Sequence, residues 1–359
     1  MRLRNSIVLD HLDRMTDSTG MIQHAIYSIP RRDSGYTTDD NARALRLCVR
    51  LCSDRAERRM LNRVTRYLGF MQFAQSADGG FHNFLSYQRS WLDERGSDDC
   101  QGQAVRALAE VLASSKLPDD HRRLARELIA ALLPTLVDVR SPRAQAYIVL
   151  AWEHLCRAEV ADAAALENIA WCAARRLVEC FERCRSPEWQ WYEPRMTYAN
   201  AVLPHALFAA SRRWPTERFL SIAETSFIFL DRETTAEGVF WPIGNVGWHA
   251  PQQRKALHDQ QPVEAATMAE AALAGFTMRN DDKYLATFWR AHNWFHGQNS
   301  LRQPLADADR GACCDGLHAS DINRNQGAES TLAYLWAEVN AIEVQHNLSN
   351  SCKALATSA

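Results

Sequence analysis

Ala265-Ala266-Thr267-Met268-Ala269 and, earlier in the chain, Ala199-Asn200-Ala201-Val202-Leu203 are small or apolar on nearly every side. A different kind of stretch occurs elsewhere, such as Asp120-His121-Arg122-Arg123-Leu124-Ala125-Arg126-Glu127-Leu128, where the polar residues form a stripe. A helix apolar all round is buried, and one with a polar stripe faces water. Helical spacing dominates the whole chain, and alternating Val/Ile/Thr runs are scarce. Apolar spacing, caps and breakers predict about twelve helices, near 4–16, 38–53, 56–76, 99–115, 119–135, 142–158, 161–184, 197–213, 215–231, 260–278, 281–296 and 325–343. Breakers such as Pro30, Gly79-Gly80, Pro118, Pro142, Pro187, Pro215, Gly311 and Gly327 fall between them.

The helices near 38, 99, 142, 197, 260 and 325 are the Ala-rich ones, and each alternates with an amphipathic partner. Six buried helices alternating with six surface helices read as an all-α (α/α)6 barrel, a toroid of six helical hairpins. An open solenoid would repeat at nearly fixed length with short loops. Here the buried helices start 61, 43, 55, 63 and 65 residues apart, with the excess in the loop before each one. That pattern favours the closed ring. The expected organisation is a single domain over 1–359, with 344–359 as a flexible tail.

The 359 residues carry a formal net charge of -2 and are 47% apolar. Near-zero charge argues against a nucleic-acid groove. No run approaches the roughly 18 apolar residues of a membrane span. Met1-Arg2-Leu3-Arg4-Asn5 begins no secretory leader, so the expected location is cytoplasmic. All ten cysteines are then expected as free thiols. Cys48 and Cys52, and Cys180 and Cys184, sit four apart in helix-like stretches rather than as C-x-x-C. Cys313-Cys314 with His318 lacks a second pair at zinc spacing, so neither a metal nor a cofactor is expected.

In a ring of hairpins all inner helices point the same way, so their starts share one mouth. These starts read Tyr36-Thr37-Thr38-Asp39-Asp40-Asn41, Gly96-Ser97-Asp98-Asp99, Trp191-Tyr192-Glu193-Pro194, His258-Asp259-Gln260-Gln261-Pro262 and Asn325-Gln326-Gly327-Ala328-Glu329. Helix capping accounts for any single acid among them. It does not account for the amides beside the acids, nor for loop aromatics such as Phe81, Trp91, Trp189, Trp191, Trp241 and Trp248. Aromatic faces stack on sugar rings, while amides and carboxylates bind hydroxyls, so the mouth reads as a carbohydrate cleft. Its expected binding residues are Tyr36, Asp39, Asn41, Trp191, Tyr192, Trp241, Trp248, Asp259, Gln260, Asn325, Gln326 and Glu329.

The run from Asp17-Ser18-Thr19-Gly20 through Gln23-His24-Ala25 to Gly35-Tyr36-Thr37-Thr38-Asp39-Asp40-Asn41-Ala42-Arg43 resembles a family of bacterial domains attached to, or encoded beside, glycosyltransferases. So do Asp259-Gln260-Gln261-Pro262, Trp294-Phe295-His296-Gly297 and Asn325-Gln326-Gly327-Ala328-Glu329-Ser330. The resemblance implies a barrel of the six-hairpin glycosidase kind and a glycosyltransferase as partner. A transferase activity of its own is disfavoured, because βα alternation and a glycine-rich nucleotide loop are missing.

Two carboxylates flanking a glycosidic bond suffice for hydrolysis of an oligosaccharide or polysaccharide. Glu193, between Tyr192 and Pro194 and two residues after Trp191, is the expected acid. Asp40, facing helix N-termini, is the expected ionised base, followed by Asp99. Two other readings stand beside it: a non-catalytic carbohydrate-binding or scaffold subunit, and an epimerase or lyase with a base among His24, His205, His249 and His258.

Overall fold

The structure, a computed structural model, describes residues 7–52, 58–215 and 217–357, without side chains beyond 350. The expectations for Met1–Asn5, the first residues of the 4–16 helix and Cys352 therefore lie outside the described side chains. Twelve α-helices occur among the described residues: α1 (Asp10–Met15), α2 (Thr38–Leu51), α3 (Arg58–Ala74), α4 (Asp98–Ala113), α5 (Asp119–Leu136), α6 (Pro142–Arg157), α7 (Ala163–Cys184), α8 (Val202–Arg213), α9 (Phe219–Glu233), α10 (Pro262–Arg279), α11 (Asp282–Phe295) and α12 (Ala328–Thr357). Strand is confined, in the same residues, to two-residue antiparallel ribbons in the loops.

Helices α2, α4, α6, α8, α10 and α12 each pack on the next, and α12 returns to α2, closing the inner ring. α3, α5, α7, α9 and α11 pack outside their hairpin partners. The six-residue α1 takes the sixth outer place against α12. The fold is thus the (α/α)6 barrel. Local chemistry starts the inner helices: Thr37 and Ser97 cap α2 and α4 by accepting from Asp40 and Cys100 N–H, and Pro142 and Pro262 stand in the first turns of α6 and α10. Small residues let the ring close tightly. A Cβ on Gly102 of α4 would stand 2.9 Å from the Ala144 Cα of α6.

Three boundaries differ most from expectation. α8 begins at Val202 rather than 197, because Ala199 turns at φ 44° and its N–H and that of Asn200 are taken by the Glu264 carboxylate. α1 is six residues long. α12 continues through Thr357, over most of the stretch expected as a tail.

The inner helices are also less apolar than their sequences suggest. Arg46 Nε lies 2.7 Å from Glu110 Oε1, Arg106 Nη2 2.9 Å from Glu270 Oε1, and Trp336 Nε1 donates to that same Glu270 oxygen at 2.8 Å. Arg46, Arg106 and Glu110 are buried and Glu270 and Trp336 partly so, and each of the four charges has an opposite partner in the lumen. Beyond them a cavity of about 580 Å³ opens at one end, lined by Val49, Ala113, Arg157, Arg212, Thr277 and Glu343. Val49, Ala113, Arg157, Arg212 and Thr277 come from the C-terminal parts of five inner helices and Glu343 from about four turns beyond Glu329 in α12, so the six helices run parallel and their starts gather at the other end.

Candidate functional site

At that other end lies a cleft of about 330 Å³, whose lining includes Asp39, Asp40 and Arg43 of α2, Asp259 and Gln260 before α10, and Glu329 of α12. Arg43, one turn beyond Asp39 and Asp40, holds three carboxylates. Its guanidinium is 2.9 Å from Asp40 Oδ1, 3.2 Å from Glu329 Oε2 and 3.9 Å from Asp39 Oδ2. Asp40 Oδ2 accepts from the Thr37 hydroxyl at 2.7 Å. The loop across the ribbon fixes the turn: Asp39 N–H donates to Asn83 Oδ1, and Thr38 Oγ1 donates to the His82 carbonyl.

Asp40 is buried, whereas the side chains of Asp39 and Glu329 are partly exposed. Burial, then the neighbouring charges of Asp39 and Glu329, push its carboxyl up to about 7, against the pull of Arg43. The expectation that helix N-termini keep Asp40 ionised is corrected here. Desolvation and the two adjacent carboxylates shift the Asp40 carboxyl toward its protonated form.

The facing wall is built from loops. Asp259, at φ 55°, lies 3.7 Å from His318 Nε2, and His318 Nδ1 is 3.2 Å from Asp321. Gln260 is buried, with Nε2 donating to Leu257 O and Ser300 Oγ and Oε1 accepting from Trp294 Nε1. Its backbone pairs with Leu317, which places the 316–317 ribbon against the cleft. Asp315 accepts from Gly327 N–H at 2.8 Å, and burial raises its carboxyl. His24 completes the lining from the N-terminal side.

Asp39, Asp40, Asp259, Gln260 and Glu329, five of the expected residues, therefore meet although more than 280 positions separate the first from the last. Asn325 and Gln326 stand beside the cleft. Asn325 Oδ1 accepts from Tyr27 N–H, and Gln326 uses its backbone for Tyr27 and His11. Tyr36 and Asn41 are buried beneath it: Tyr36 OH donates to Asp17, and Asn41 binds the backbone of Met21 and Thr37.

Glu193 and Asp99 belong to a second cluster around Arg143. Arg143 Nη1 is 3.0 Å from Glu193 Oε1, its Nε donates to the Tyr198 carbonyl, and Tyr198 OH donates to Asp99 Oδ2 at 2.6 Å. Glu193 thus faces a cation rather than an aromatic wall.

The aromatic expectations need correction. Trp191 and Tyr192 are fully buried, packed edge to face, and Tyr192 is also packed on Phe181, so they plug the core under their loop. Phe81 and Trp189 are buried too. Trp241 and Trp248 are half-buried outside the cleft, Trp241 donating to Leu257 O and Trp248 leaning on the core.

Of the candidate histidines, His24 reaches the cleft. His205 lines the opposite cavity, where burial drives it down to about 3. His249 pairs with Glu233, and His258 is exposed. Sequence reasoning did not single out Arg43, Asp315 and His318 for this site. Arg43 was detectable as the first cation of its helix, three and four positions after paired aspartates. Asp315 and His318 lie on loops whose approach to α2 has no local signal.

No protein-family model matches the chain, and no curated protein matches it in sequence. The fold has clear counterparts among solved structures. Cellobiose 2-epimerase from Bacillus thermoamylovorans superposes with a TM-score of 0.71 at 11% identity, over 93% of this chain and 96% of that one. A D-mannose isomerase gives 0.72 at 13% identity, over 93% and 94%. The GH76 α-mannanase of Bacteroides thetaiotaomicron gives 0.66 at 9% identity, over 94% and 93%. These similarities establish the barrel architecture. No helix among the described residues is long and apolar enough to cross a membrane.

Proposed function

We propose that this protein is a carbohydrate-active enzyme that hydrolyses a glycosidic bond in the Asp40–Asp259 cleft. The observation carrying the reading is Asp40, a buried carboxyl pushed up to about 7 at the wall of a polar cleft. Such a group is half protonated at neutral pH and suits the proton donor of glycoside cleavage. Asp259, on the facing wall and partly exposed, is the carboxylate that activates water, with His318 beside it. Arg43 holds Asp39 and Glu329 in place to bind hydroxyls. The stretches that resemble domains encoded beside glycosyltransferases support a setting in polysaccharide metabolism with a glycosyltransferase as partner.

The test incubates the protein with a panel of oligosaccharides and follows new reducing ends by chromatography and NMR. Wild-type cleavage lost in Asp40→Asn and Asp259→Asn supports hydrolysis, and binding without cleavage points to a scaffold subunit. Epimerisation is the second reading, favoured by two imidazoles, His24 and His318, in the same cleft. Run in deuterium oxide, an epimerase places solvent deuterium beside the sugar carbonyl without breaking a glycosidic bond.

A further inference from the structure

His292 lies in the last turn of α11, and His296, four residues on, caps that helix, so both rings share one face. From α12, Glu338 meets them. Both Nε2 atoms are 2.7 Å from the same Glu338 Oε1, and the three donor atoms lie within 4.8 Å of one another. All three side chains are at least nine-tenths buried. Phe288 and Trp289 enclose His292, and Tyr334 packs on His296.

We propose that His292, His296 and Glu338 form a binding site for a divalent transition-metal ion, zinc by the chemistry of the donors, that pins α12 to α11. Two imidazoles and a carboxylate make a borderline set that suits zinc, whereas calcium and magnesium take oxygen donors. Tetrahedral bonds of about 2.0–2.1 Å place neighbouring donors about 3.3 Å apart, so the two His–Glu338 contacts open by about half an ångström while the two imidazole nitrogens, within 4.8 Å, draw together by up to about 1.5 Å. The three protein donors leave the fourth tetrahedral position to a water molecule, because the two oxygens of one carboxylate are too close together to fill two such positions. Ligation moves each imidazole proton from Nε2 to Nδ1. His292 Nδ1 has no hydrogen-bond partner, so the shift breaks no existing bond there.

The position argues for a structural role. α12 closes the ring, yet its own outer partner is the six-residue α1. A clip to α11 supplies the anchoring that a full outer helix gives the other hairpins. Glu338 stands nine residues beyond Glu329, about 14 Å along the helix, so the ion takes no part in the cleft.

The full-length chain, stripped with a chelator, is titrated separately with Zn2+ and Co2+. One equivalent is expected to stay bound through gel filtration and to raise Tm. The cobalt form is expected to show four-coordinate d–d absorption without a thiolate charge-transfer band. His296→Gln and Glu338→Gln are expected to weaken uptake at least about tenfold, a loss typical when a ligand sphere is disturbed. Cys313→Ser with Cys314→Ser is expected to leave it unchanged. Substoichiometric retention by the wild type, a thiolate band, or undiminished uptake in the two ligand variants would overturn the proposal. Where those variants do not fold, the wild-type cobalt spectrum decides alone, since a missing d–d band refutes the site.

Discussion

Replacing Asp40 with Asn separates the cost of this carboxyl from its use. Asp40 titrates near 7 in the folded chain against an ordinary value of 3.8, about three units. At about 1.4 kcal/mol per unit, the folded state gives up roughly 4 kcal/mol in ionising it. The folded chain holds this proton more tightly than the unfolded chain. The contribution to stability is therefore present below about pH 4 and lost as pH rises through 7. Asn copies the neutral acid in shape and has nothing to ionise. Asp40→Asn is expected to exceed the wild type in stability by about 2–4 kcal/mol at pH 8 and to match it near pH 4. Urea midpoints followed by circular dichroism at the two pH values read this gap directly. The same variant is expected to lose roughly 10²–10⁴ in turnover on any oligosaccharide the wild type cleaves. If the midpoints of the two proteins move in parallel from pH 4 to pH 8, Asp40 does not titrate near neutrality and its role as acid fails.

Glu193→Gln breaks the pair with Arg143 and is expected to cost about 1–3 kcal/mol while leaving turnover within a few-fold. Lost turnover at unchanged affinity would hand the acid role back to Glu193. Trp191→Ala empties a fully buried site and is expected to destabilise by about 3–5 kcal/mol, with oligosaccharide affinity preserved in the folded fraction. Selective loss of binding at wild-type Tm would show that the ring faces a ligand after all. The nine cysteines described are free thiols, so titration of denatured protein is expected to find all ten reactive. A count well below ten would mean bridges that the helix spacing does not anticipate.

The barrel was legible in the chain because its signal is repetitive and local. Ala-rich stretches such as 265–269 and striped ones such as 120–128 differ in how many faces are apolar, and that difference decides burial without knowledge of neighbours. The direction of the inner helices then sufficed to bring Asp39, Asp40, Asp259, Gln260 and Glu329 to one mouth. Side-chain orientation is another matter. Trp191 and Tyr192 look like loop aromatics in sequence, yet the loop folds back and drives them into the core beside Phe181. Glu193 was chosen for those neighbours and instead turns to Arg143, fifty residues away. The same limit hid Arg43 as the shared cation of three carboxylates, and the pairing of Arg46 and Arg106 with Glu110 and Glu270 in the lumen. Residue order along one helix determines which face a side chain is on. Which charge it meets across the barrel depends on distances of a few ångströms between separate helices, and only the closed ring sets those.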